Sequence, residues 1–171
     1  YNVPDSGASS QTAREAGGHQ PDSGAPTCLD NEIGHYTDQT GTAERIPCSP
    51  GAYQSSIGQT ACIEADFGFH VPYSGSAGQI PCSPGTYQSS TGQVSCTDAE
   101  SGYFVSEHEA SVPSACERGT YQSEGGQTEC VDADPGYYVP SMGSPFQTPC
   151  ERGTYQTSGG QHECIETEPG Y

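Results

Sequence analysis

Apolar residues fall in stretches of only a few positions, and nowhere do they recur with the 3.6-residue spacing of an amphipathic helix. A shorter pattern does recur. Cys48-Ser49-Pro50-Gly51-Ala52-Tyr53-Gln54 returns as Cys82-Ser83-Pro84-Gly85-Thr86-Tyr87-Gln88, and twice more through Tyr121 and Tyr155. Each copy runs on to a Gly-Gln pair (Gly58-Gln59, Gly92-Gln93, Gly126-Gln127, Gly160-Gln161) and then to a second cysteine, giving the unit C-x2-G-x-Y-Q-x3-G-Q-x2-C. A Tyr-Gln segment, a Ser/Thr/Gly turn and a short return predict a small β-hairpin.

The cysteines stand at 28, 48, 62, 82, 96, 116, 130, 150 and 164, with spacings that alternate 20 and 14 without exception, so the period is 34 residues. Such a period predicts a linear array of supersecondary units. The 20-residue segments contain Gly34, Gly68, Gly102, Gly136 and Gly170, each followed by an aromatic residue or His, and then Val71-Pro72 or Val139-Pro140 in two of them. They read as extended connectors leading into the next hairpin. The chain divides into a degenerate repeat at 1–34 and further repeats at 35–68, 69–102, 103–136 and 137–170, with Tyr171 starting another. In the first repeat Arg14 stands where the phase calls for a cysteine, and His19 where the other units have Tyr.

Composition excludes a single large core. Hydrophobic residues make up 30% of the 171, with no Trp, one Met, and 23 Gly and 14 Pro. Ordering a residue costs roughly 1.5 kcal/mol, which a chain this poor in large aliphatics cannot recover by apolar burial alone. The nine cysteines are the expected staples, and disulfides imply an oxidising, extracellular compartment. The fold expected is therefore small, disulfide-rich and mostly β, an elongated array without a common core.

Nearest-neighbour pairing can close either the 14-residue or the 20-residue intervals. The first choice gives Cys48–Cys62, Cys82–Cys96, Cys116–Cys130 and Cys150–Cys164 and leaves Cys28 unpaired or intermolecular; the second strands Cys164. The 14-residue closure accounts for the odd count, because the partner of Cys28 is replaced by Arg14. Each such loop contributes about 3 kcal/mol in the chain-entropy model.

The motif C-x2-G-x-Y-x8-C resembles the ephrin-receptor-like (GCC2/GCC3) cysteine-rich repeats, and is similar to the first submodule of tumour-necrosis-factor-receptor repeats. The resemblance covers the hairpin units and implies elongated extracellular architecture; it also points to the 14-residue closure. Those families carry further cysteines per module, whereas this chain has two per repeat.

The formal charge is −18, from 22 acidic residues against four Arg and no Lys. This excludes electrostatic binding to nucleic acid or to an anionic membrane surface. No apolar run is long enough for membrane insertion, and the opening Tyr1-Asn2-Val3-Pro4 lacks a leader pattern, as expected of a mature or excised segment. Two carboxylates follow each second cysteine: Asp30 with Glu32, Glu64 with Asp66, Asp98 with Glu100, Asp132 with Asp134, and Glu166 with Glu168. Alternate residues of an extended segment share a face, so each pair is a candidate calcium ligand set. The competing reading is a solvated acidic stripe, since an EF-hand loop uses more ligands than two.

The five histidines occupy five phases of the repeat, no nucleophile elbow or phosphate loop is present, and an enzyme is not expected. The in-phase Tyr53, Tyr87, Tyr121 and Tyr155 are expected to form the local core against their disulfides, with a binding ladder as the alternative. The repeated Gln residues are expected to bond backbone groups. There is no N-glycan sequon, while Ser55-Ser56, Ser89-Ser90-Thr91 and Thr157-Ser158 are candidate acceptors for O-linked sugar at hairpin tips. These features predict an extracellular structural protein, a stalk or filament that self-associates head to tail. The alternative is an adhesive or ligand-binding ectodomain at the cell surface.

Overall fold

The computed structural model describes residues 16–19, 29–39 and 44–168. They form nine two-stranded antiparallel hairpins, each with two-residue strands, and contain no helix. The first pairs Gly18–His19 with Leu29–Asp30, the second His35–Tyr36 with Ile46–Pro47, and the third Ala52–Tyr53 with Ile63–Glu64. The fourth pairs Phe69–His70 with Ile80–Pro81, and the fifth Thr86–Tyr87 with Thr97–Asp98. The remaining four, starting at Tyr103, Thr120, Tyr137 and Thr154, repeat this geometry to Glu166.

The 20-residue segments are thus hairpins themselves, not extended connectors. Each of the four repeats from residue 35 onward holds two hairpins, and the described backbone repeats every 17 residues. A β-turn opens each hairpin. In Ser49-Pro50-Gly51-Ala52 the Ala52 N–H donates to Ser49 O at 3.0 Å, proline fixes the second position, and Gly51 takes φ 90° at the third. That is a type II turn, whose third position needs a positive φ that glycine adopts without strain.

Successive hairpins are joined by backbone hydrogen bonds. From the third hairpin Gly51 N–H donates to Val71 O (2.8 Å) and Gln54 N–H to Ser76 O (3.1 Å), both on the fourth. The Gly92 N–H of the fifth hairpin reaches back to Ala65 O (2.8 Å), just past the third. Equivalent bonds recur at every other interior hairpin, so each unit is tied to the next and to the next but one. This arrangement is a one-dimensional array in which contacts stay between near neighbours.

Very little space lies inside. The buried apolar residues are a file of small side chains, Cys48, Ala65, Cys82, Ala99, Cys116 and Ala133, beside Val71, Val105 and Val139. Between those valines, at the matching place in alternate hairpins, lie the buried Gln54, Gln88, Gln122 and Gln156. The accessible surface is 11127 Å², against roughly 8,000 Å² for a compact globule of this mass. The excess is what an array without a common core requires.

Candidate functional site

Four disulfides join Cys48 to Cys62, Cys82 to Cys96, Cys116 to Cys130 and Cys150 to Cys164, with Cα–Cα distances of 5.7 to 5.9 Å. Cys48 follows the return strand of the second hairpin, and its N–H donates to Gly34 O at 2.9 Å. Cys62 immediately precedes the return strand of the third. The bridge therefore encloses the outward strand of the third hairpin and also clips it to the second. The other three bridges join the fourth hairpin to the fifth, the sixth to the seventh and the eighth to the ninth. Cys28 and Arg14, on which the unpaired-thiol expectation rests, lie outside the described residues.

Junctions without a disulfide use polar side chains at nearly the same place. Gln79 donates to Asp66 Oδ2 at 2.8 Å and accepts from the Asp66 N–H at 2.7 Å. Gln147 does the same with Asp134. Arg45 forms an ion pair with Glu32 at 2.7 Å. Pro113 occupies the matching position opposite Glu100 and offers no donor.

All ten paired carboxylate residues are exposed. The two members of a pair engage different partners where bonds form: Glu64 Oε2 accepts from Thr91 Oγ1 at 3.1 Å, whereas Asp66 turns to Gln79. Asp30, Asp98 and Asp132 lie beside Gly58, Gly126 and Gly160, the loop glycines 28 residues further on. Glu166 ends the return strand of the ninth hairpin and Glu168 follows it, on either side of Thr167, and Glu168 is exposed. Among the described residues, none of the ten carboxylates, Glu168 included, belongs to a cluster of three or more metal-ligating side chains. Calcium takes six to eight oxygens, so a calcium site at any pair would need further oxygen ligands beside its two carboxylates.

Tyr53, Tyr87 and Tyr121 are half-buried and Tyr155 is 45% exposed, so the expected tyrosine core is not formed. Neighbouring strand residues point to opposite faces, and the inward face belongs to the glutamine that follows each tyrosine. Gln88, 7% exposed, donates to Ser95 O at 2.8 Å and accepts from the Ser90 N–H at 3.1 Å, closing its own loop. Gln54, Gln122 and Gln156 repeat both bonds. The backbone-bonding role expected of these glutamines is met inside each hairpin.

Two residues of the other hairpin class lie beside disulfide cysteines. His70 Nδ1 lies 3.2 Å from Cys96 Sγ, and Phe104 shares a shallow groove with Cys130, Ala115 and Thr120. His70, Cys82 and Cys96 form the one group of three metal-ligating side chain types with ligand atoms within 4.8 Å of one another among the described residues. Sequence spacing did not signal it, because 26 residues separate His70 from Cys96. The register could have: His70 occupies the position of Tyr36, Phe104 and Tyr138, one hairpin ahead of each second cysteine.

No protein-family model matches the chain, and none of the curated proteins matches it either.

Proposed function

We propose that the chain is an extracellular structural repeat protein that forms a stalk or filament. The observation that supports this reading is the unbroken backbone bonding from hairpin to hairpin, typified by Gly51 to Val71, with a covalent clip at alternate junctions. Among the described residues no hairpin is joined to the next by a free linker, and stability comes from local bonds repeated from hairpin to hairpin, as a spacer requires. Disulfide content favours secretion or display at the cell surface. The likeness of the Cys-Gly-Tyr hairpin to ephrin-receptor-like repeats agrees with that setting. Head-to-tail association between copies would extend the same bonding, and exposed Ser/Thr at the loop tips would accept O-linked sugar.

Electron microscopy of the native material tests the proposal: regular fibres or stalks are expected, and isolated compact particles would overturn it. An adhesive reading has one observation of its own, the half-exposed tyrosines repeated through Tyr53, Tyr87, Tyr121 and Tyr155. Isolated rods that bind a basic partner would favour it, since the chain carries a net charge of −18.

A further inference from the structure

We propose that Cys82–Cys96 is the most exchange-active of the three disulfides whose first cysteine is buried, the one among them at which a dithiol reductant enters, and that His70 makes it so. The four bridges share one backbone geometry and one sequence spacing. In each, the second cysteine is half-buried, and in three of them, Cys48, Cys82 and Cys116, the first is fully buried. Burial therefore does not distinguish Cys82–Cys96 from Cys48–Cys62 or Cys116–Cys130. The residue one hairpin ahead does: it is Tyr36, Phe104 or Tyr138 elsewhere and His70 here.

A sulfur in a disulfide carries no proton, so the 3.2 Å contact requires that Nδ1 of His70 carry the hydrogen and point it at Cys96 Sγ. Cys82 Sγ lies within 4.8 Å of a ring nitrogen of His70. An attacking thiolate approaches the more accessible sulfur, Cys96, forms a mixed disulfide with it and expels the Cys82 thiolate, which is protonated beside the imidazole. The second thiol of the reductant then attacks its own mixed-disulfide sulfur, closing a cyclic disulfide and releasing Cys96 as a thiolate next to Nδ1. One dithiol is oxidised, one cystine is reduced, and two protons pass to the two cysteines. Exchange rates rise as the departing thiolate is better stabilised, and the imidazole lies beside both sulfurs, at 3.2 Å from Cys96 and within 4.8 Å of Cys82. At the matching position the other units carry Tyr36, Phe104 or Tyr138, whose rings have no N–H to offer a departing thiolate.

The test is limited reduction of the oxidised protein with dithiothreitol, quenching with an alkylating label and reading each cysteine by peptide mass spectrometry. Cys82 and Cys96 are expected to gain label roughly threefold or more ahead of Cys48, Cys62, Cys116 and Cys130, because exchange speeds up as the departing thiolate is better stabilised. His70→Tyr, which installs the residue that two sister units carry, should remove the lead. Phe104→His added to that variant should transfer the lead to Cys116–Cys130. Equal labelling of the three bridges, or a lead that survives His70→Tyr, would overturn the proposal. Cys150–Cys164 is not a comparator, because Cys150 is less buried than its counterparts.

Discussion

The α-carbon of Gly85 faces the carbonyl oxygen of Gly126, two hairpins further along, so closely that a Cβ there would collide with it. The same relation links Gly51 to Gly92 and Gly119 to Gly160. A turn glycine is therefore also the place where the loop of the next hairpin but one comes to rest.

Gly85→Ala should accordingly be costly on two counts, a side chain at φ 88° and a clash with backbone. Together these cost about 2 kcal/mol or more. Gly78→Ala, where no atom lies within 4 Å of the added carbon and φ is not positive, should be neutral or stabilising by up to about 1 kcal/mol. Urea denaturation midpoints of the two variants check the contrast; equal midpoints would contradict it.

Glu109 is the one non-glycine with positive φ among the described residues, at 62°. It stands where Gly75, Gly92, Gly126 and Gly143 stand in other hairpins, and its carbonyl faces the Gly68 turn. Glu109→Gly should raise stability by about 0.5 to 1 kcal/mol, the left-handed strain relieved less the extra freedom of the unfolded glycine. A lowered thermal midpoint would contradict this.

The 34-residue period and the hairpin around each Tyr-Gln pair were legible from the cysteines, but the 17-residue backbone period was not. Glycine marks it in every hairpin, through Gly34, Gly51, Gly68 and Gly85. The inward residues hide it, because two chemistries alternate on one backbone: Gln54 gives way to Val71 and Cys48 to Ala65. A buried glutamine that bonds its own loop fills the same narrow space as a valine that bonds nothing. The tyrosines misled for a related reason, since the channel between hairpins admits Ala, Cys, Val or an extended Gln but no aromatic ring.

Gln88→Leu should destabilise by about 1 to 3 kcal/mol, because the substitution leaves Ser95 O and the Ser90 N–H without their partner in a buried setting. Gln79→Leu removes exposed bonds to Asp66 and should cost under about 1 kcal/mol. Hydrogen exchange across residues 86–98 would report the first loss locally; equal effects of the two changes would contradict the ranking.

The carboxylates of Glu64 and Asp66 hold separate partners, Thr91 and Gln79, and Glu166 and Glu168 at the far end of the array join no ligand cluster among the described residues. A calcium titration is therefore expected to leave the thermal midpoint unchanged, since a cation bound to the folded state alone would raise it by mass action. A saturable, chelator-reversible rise would instead identify these pairs as a calcium site.

The claim that hairpin-to-hairpin bonding makes a stiff spacer is tested most directly by small-angle X-ray scattering of the oxidised protein. A compact chain of this length has a radius of gyration of roughly 16 Å and an unfolded one roughly 44 Å. The account predicts a value between them and the distance distribution of a rod, with an early peak and a long linear decline. A symmetric distribution at the compact value would contradict it.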